Sequence, residues 1–262
     1  MRKTIIAAAL SAAAALPGLA NAQAAASSPH TVTGNLAIVS DYRFRGISQS
    51  FAQPAVQGGI DYSHASGFYL GNWNSNVSGN SYAGGAGLEM DFYGGFKKAF
   101  GDFGFDLGLL QYYYPGAKVS GTDTKYDTLE GYLAVTWKWL GAKYSVTTTD
   151  YFGTYSATNS ACTGADSKGS GYLDIFANYE IMPKLTLVGH YGNQSIKGCS
   201  PLEYSDYKIG LTYDLNGWLL GAAYIDTDAD PAFYTISNGN TASPKSEDIG
   251  KGTVVLSVSR SF

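Results

Sequence analysis

The chain has 262 residues, with 17 Lys and Arg against 21 Asp and Glu and a formal net charge of −4. That balance excludes the strongly basic face that nucleic-acid binding calls for. Its 33 glycines, 21 tyrosines and 12 phenylalanines suit the wall of a β-barrel.

Met1-Arg2-Lys3 is a short basic head, followed by an Ala-rich apolar stretch from Thr4 to Leu16. Pro17-Gly18 breaks that stretch, and Ala20-Asn21-Ala22 has the small-x-small form of a cleavage site. Residues 1–22 therefore read as a cleavable signal peptide, too short and too Ala-rich for a membrane helix. Residues 23–262 are expected to form the mature domain, beginning with an unstructured lead-in from Gln23 to His30. No later window approaches the ~20 uninterrupted apolar residues that a spanning helix needs. If this domain crosses a bilayer, it must do so as a closed barrel, because lipid cannot satisfy open strand edges.

From Thr31 onward, alternating segments of about ten residues are split by turn residues, which is the pattern of barrel strands. They predict about twelve strands, near 33–44, 54–63, 67–77, 86–96, 102–114, 126–138, 140–152, 171–181, 184–195, 203–214, 217–227 and 252–262. Parity sets the facing. Leu88, Met90 and Phe92 oppose Glu89, Asp91 and Tyr93. Phe103, Phe105, Leu107 and Leu109 oppose Gly104, Asp106 and Gly108. Tyr207, Ile209 and Leu211 oppose Asp206, Lys208 and Thr212.

Connections alternate short and long. The short ones, such as 64–67, 139–141, 182–184 and 214–217, carry Gly, Asn, Asp or Pro where tight turns want them. The long ones are rich in Gly, Ser, Thr, Asn and Asp, and the longest lie near 155–169 and 228–250. Outer-membrane barrels have short periplasmic turns and longer outer loops. Cys162 and Cys199 both fall in long loops and are compatible with one disulfide in an oxidising compartment, or with two free thiols.

The last strand alternates Val254, Leu256 and Val258 with Thr253, Val255, Ser257, Ser259 and Ser261, and closes on Phe262. A terminal aromatic on an amphipathic strand resembles the signal read by the barrel-assembly machinery. Arg260 departs from that pattern and is placed to snorkel to the headgroups. Parity alone does not separate an oily exterior from an oily core. The leader, the terminal Phe262 and the loop alternation select lipid as the partner of the oily face.

The run Val39-Ser40-Asp41-Tyr42-Arg43-Phe44-Arg45-Gly46-Ile47-Ser48-Gln49-Ser50 is unusual, as is Pro54-Ala55-Val56-Gln57-Gly58-Gly59-Ile60-Asp61-Tyr62. With His64, Gly67-Phe68-Tyr69, Trp73, Asn76, Glu89, Asp91 and Tyr93-Gly94-Gly95, they resemble a proteobacterial outer-membrane family, the Gcw_chp or TorF-type porins. The resemblance spans the mature chain and is densest in its first third. It implies an outer-membrane barrel with a porin role, and it carries no catalytic residues and no defined substrate.

Asp41, Arg43 and Arg45 share one face of the first predicted strand, toward its outer end. Asp61, Glu89, Asp91, Asp106 and Glu130 face inward on the strands that follow. Such a set is either a charged constriction that selects permeating solutes or a salt-bridge network that fills the lumen. Tyr112-Tyr113-Tyr114, Trp137 and Trp139 fit interfacial girdles, with sugar stacking as the alternative for Tyr112 and Tyr114.

Enzyme chemistry has little support. The histidines are His30, His64 and His190, and no Gly-x-Ser-x-Gly elbow accompanies Ser195. Gly84-Gly85 and Gly94-Gly95 lack the Lys-Ser/Thr of a phosphate loop. The expectation is an all-β transmembrane up-and-down barrel of about twelve antiparallel strands in the Gram-negative outer membrane. It would use no cofactor or metal and pass small polar solutes. The alternative is a closed barrel whose outer loops bind a surface partner.

Overall fold

The computed structural model describes residues 28–80, 85–238 and 241–262. The predicted signal peptide, 1–22, lies outside them. Alternating segments become strands β1 (His30–Val39), β2 (Arg43–Phe44), β3 (Ile47–Ser48), β4 (Ala55–His64), β5 (Phe68–Asn76) and β6 (Leu88–Phe100). They continue as β7 (Phe103–Tyr113), β8 (Thr128–Trp137), β9 (Leu140–Thr147), β10 (Gly171–Met182), β11 (Leu185–Ser195) and β12 (Tyr204–Leu215). The last are β13 (Trp218–Thr227), β14 (Thr235–Ser237), β15 (Ser246–Asp248) and β16 (Thr253–Ser261). Twelve of these, all but β2, β3, β14 and β15, pair antiparallel with their neighbours in a closed barrel.

Closure falls between β1 and β16, where Asn35 faces Ser261 and Val39 faces Ser257. The Phe262 backbone exchanges two hydrogen bonds with Gly34, at 2.8 and 3.0 Å. Its ring lies so close to Gly34 that an added Cβ would sit 2.7 Å from it. Glycine at 34 thus leaves the aromatic its seat at the seam. Arg260 lies over the Trp218 ring, 5.1 Å from its centre, at the same rim.

Facing follows the sequence period. Leu36, Ile38, Ile60, Leu70, Phe92, Leu107, Leu133, Ile209, Val254 and Leu256 are exposed on the outer surface. Asp61, Glu89, Asp91, Tyr93, Glu130, Tyr132, Asp174 and Asp206 are buried within the lumen. A continuous oily belt around a polar interior is the architecture of an outer-membrane barrel. A Lys or Arg placed on that belt at mid-depth costs roughly 2–4 kcal/mol, which pins the register. Among the described residues, no helix is long and apolar enough to cross a membrane.

The strand bounds differ from expectation at two instructive places. The first wall strand stops at Val39 rather than at residue 44. Ser40 holds on to β16, its N–H donating to Leu256 O at 2.8 Å, and the chain then turns into the lumen. Residues 41–50 are all buried there as the hairpin β2–β3. Arg45 and Gly46, with φ of 48° and 80°, form its two-residue turn, the positive-φ pair of a tight hairpin. An added Cβ on Gly46 would sit 2.4 Å from Thr227 Cγ2 and 2.7 Å from Asp206 Cβ. Glycine is therefore needed twice over, for the turn and for the close approach to the wall.

The second difference is β9, which ends at Thr147 rather than at residue 152. The chain turns at Phe152 (φ 45°), whose ring packs against Phe44 and Tyr112. Both departures have one cause. A cylinder of eight strands is about filled by its own side chains, whereas twelve leave space that further chain must occupy.

Short turns lie at one end of the barrel and long loops at the other. The loop between β13 and β16 carries a helical turn, α1 (Pro231–Tyr234), and the small β14–β15 ladder. Cys162 and Cys199 are joined as a disulfide that ties the β9–β10 loop to the β11–β12 loop. The bridge lies in a buried apolar cluster with Ile196 and Leu202. Oxidised and reduced protein are expected to migrate differently on denaturing gels, and Cys162→Ser should abolish the difference. Unfolding of that variant should show a loss of about 2–4 kcal/mol, mostly from the freer unfolded chain. An unchanged transition would mean that the bridge restrains only the loops.

Candidate functional site: the inward hairpin and the lumen network

The hairpin is held on three sides. Arg45 reaches across the lumen and donates from Nη2 to both Glu130 oxygens, at 2.9 and 2.7 Å. Its Nη1 donates to Gln194 Oε1 at 2.7 Å, and its guanidinium stacks over Tyr172, 4.2 Å from the ring centre. One side chain thus joins the hairpin tip to β8, β10 and β11. A planar fork with five donors suits this arrangement, and a Lys would not reproduce it.

On a second side, Tyr42 donates its hydroxyl to Glu89 Oε1 on β6 at 3.0 Å, and its ring meets Trp73 edge-on. On the third side, Arg43 pairs with Asp41 at 2.6 Å and donates from Nη1 to the carbonyls of Gly46, Ile249 and Lys251, each at 3.0 Å. Asp41 also accepts from Ser48 Oγ and Ser50 Oγ, at 2.6 and 3.0 Å. Ile47 and Phe51 pack with Ile249 and Ala229 of the last long loop. That loop therefore covers the hairpin like a lid. Lys251 and Lys245 hold the lid's Glu247 below the usual glutamate range, chiefly through the hydrogen bond from Lys251.

Toward the short-turn end, the lumen is lined by tyrosines, carboxylates and lysines, several of them only partly buried. Tyr93 donates to Asp61 at 2.5 Å, and Tyr69 bonds both Asp106 and Tyr132. Lys97 and Lys143 lie over the Tyr69 and Tyr132 rings. Asp106, Lys97, Lys143 and Lys208 keep partial exposure here. His190 is gripped between Asp174 and Asp206, at 2.7 and 2.6 Å, and Tyr172 donates to Asp206 at 2.9 Å. Both ring nitrogens are thus engaged by carboxylates. Ser195 points elsewhere, donating to Gly171 O.

The structure places the sequence-derived residues in two groups. Asp41, Arg43 and Arg45 are on the inserted hairpin and not on the wall, which corrects their expected position on the first strand. Asp61, Glu89, Asp91, Asp106 and Glu130 do line the wall, and Glu130 is the one that receives Arg45. Glu89 and Asp91 share a strand face, but neither forms an ion pair with Arg43 or Arg45 among the described residues. Sequence reasoning missed Lys97, Lys143 and the bridging role of Gln194. Parity marks all three as inward, and a polar residue facing inward from each strand was the available signal. Among the described residues, no group of three or more His, Cys, Asp or Glu is arranged to hold a metal ion.

Comparison with known proteins gives the same architecture. Residues 23–262 match the model of a family described as a bacterial protein of unknown function (Gcw_chp), and the chain belongs to that family. Two similar solved structures are the KdgM porin in complex with disordered oligogalacturonate and the NanC porin. Each is 10% identical, with a TM-score of 0.51, over 88% of this chain and 99% of the other. At that identity the likeness concerns the fold. No curated protein matches this chain in sequence.

Proposed function

We propose that this Gcw_chp-family barrel is a porin-like channel of the Gram-negative outer membrane for small polar solutes, narrowed by the hairpin around Arg45. The observation that carries the reading is a charged, tyrosine-lined and partly exposed lumen inside an apolar wall, with one inserted segment filling its outer half. A barrel that served only as a scaffold would have no need of partly hydrated Lys97, Asp106 and Lys143. Export through the leader at 1–22, and recognition of Phe262 by the barrel-assembly machinery, complete this reading. Outer-membrane lipid would surround the oily belt.

Charge narrows the solute class. Around the lumen, Asp61, Glu89, Asp91 and Asp106 stand beside Lys97 and Lys143, while Arg43 and Arg45 are paired with Asp41 and Glu130, and His190 with Asp174 and Asp206. Rings of carboxylates favour cations. The KdgM porin holds oligogalacturonate, a polyanion, and this lumen is poorly suited to one. Neutral or cationic polar solutes fit better.

Refolded full-length protein in planar bilayers is expected to give discrete conductance steps, with a reversal potential in a KCl gradient that shows cation preference. A bilayer that stays sealed at high protein load would remove the channel reading. The buried hairpin favours the second reading in that event: a closed barrel that presents its long loops to a surface partner.

A further inference from the structure

The chain has 3 histidines, and two of them face each other across one rung of the wall. His30 on β1 is the direct cross-strand partner of His64 on β4, and their ring centres lie 5.1 Å apart. Opposed residues on antiparallel strands project from the same face with their Cβ atoms ~4.5–5.5 Å apart. Parity puts this pair on the outer face, at the rim of short turns. The backbone there is tied down, since Ala65 N–H donates to Pro29 O at 2.8 Å.

Both rings are oriented through the same nitrogen. His30 Nδ1 is 2.7 Å from Tyr62 Oη, and His64 Nδ1 is 2.7 Å from Ser66 Oγ. With Nδ1–H donating to the Tyr62 hydroxyl, His30 keeps its Nε2 lone pair; at His64 the Ser66 N–H donates to Nδ1 at 3.2 Å, so an ion on Nε2 must move the ring proton to Nδ1, where Ser66 Oγ is placed to accept it. Neither Nε2 has a hydrogen-bond partner among the described residues. Metal-bound histidines are held in this way, with one nitrogen on a hydrogen-bond partner and the other on the ion. Two imidazoles on one ion at ~2.0–2.1 Å place their ring centres roughly 4.5–5.2 Å apart, for angles from right-angled to tetrahedral. The observed spacing lies in that interval.

We propose that His30 and His64 form a two-imidazole site for a divalent first-row transition-metal ion, bound through both Nε2 atoms with water completing the shell. Cu(II) binds most tightly by the usual order for nitrogen sites. The ion would staple β1 to β4, the two strands that the hairpin connection joins, at the barrel end opposite the hairpin. The site is independent of whether the lumen conducts.

Full-length refolded protein in detergent micelles, titrated with Cu(II), tests this. One equivalent is expected to give an electron paramagnetic resonance spectrum with splitting from two imidazole nitrogens. His30→Ala and His64→Ala should each weaken binding by roughly tenfold or more, since even outer-shell partners of a metal ligand are worth that much. Unheated-gel mobility confirms that the variants are folded. In the wild type, Cu(II) should also protect both rings from diethyl pyrocarbonate. Binding that is indifferent to both substitutions, a spectrum without nitrogen splitting, or rings that stay reactive would overturn the proposal.

Discussion

Replacing residues 42–51 by a short Gly-Ser linker is expected to raise single-channel conductance severalfold and to weaken ionic selectivity. The wall should survive the change. β1 and β4 pair with each other over ten residues from His30–His64 to Val39–Ala55, so their register does not depend on the connection between them. Once the hairpin is gone, Glu89 and Glu130 face water rather than buried protein, and hydration replaces their lost partners. The lid would lose the Arg43 contacts to Ile249 and Lys251 and its packing on Ile47. It is therefore expected to become sensitive to protease. Bilayer recordings of wild type and variant side by side decide the matter. Equal conductance would show that the narrowest point lies elsewhere, among Tyr69, Tyr93 and Tyr132 at the short-turn end.

The second large effect is expected from Arg45→Ala, which leaves the chain intact and removes one charge. Arg45 and Glu130 are both nearly inaccessible, with side-chain exposures of 5% and 2%. Deleting one member of a buried pair typically costs about 3–5 kcal/mol, because the remaining charge loses both water and partner. The lower end applies here. Once the hairpin lifts, water can enter the space it filled and reach Glu130. A cost of about 3 kcal/mol shifts the docked-to-released ratio by roughly two orders of magnitude. The effect should appear as release of the hairpin rather than as melting of the wall. An Ile47→Cys reporter, shielded in the docked state, should react with a membrane-impermeant maleimide only when Arg45→Ala is also present. Arg45→Met combined with Glu130→Met should restore much of the shielding, because no charge is then stranded. Labelling that stays blocked in Arg45→Ala would mean that Tyr42, Phe44 and the lid hold the hairpin without the ion pair.

Both predictions concern a segment whose chemistry was legible and whose place was not. Asp41, Arg43 and Arg45 stood out as charges in a strand-like run, and period-two parity put them on an inward face. Their three-residue alternation would look the same on a wall strand or on a hairpin inside the wall. The turn at Arg45-Gly46 was the one local hint, since glycine after a polar residue suits a positive-φ hairpin.

Much of the wall follows from sequence alone. Alternation at Phe103–Leu109 and Tyr207–Leu211, turn residues at 182–184 and 214–217, and the short-long rhythm of the loops are local properties. Each is set by the strand period or by turn geometry within a few residues, so no knowledge of distant chain is needed. What fills the cylinder is not local. Arg45 finds Glu130 and Gln194 at separations of 85 and 149 residues, and Arg43 finds Ile249 at 206. Those partners become neighbours only after closure has fixed the interior volume. Whether the outer half of the lumen stands open or is occupied was therefore decided by the tertiary structure, through the space that twelve strands enclose and the buried charges that must be paired within it.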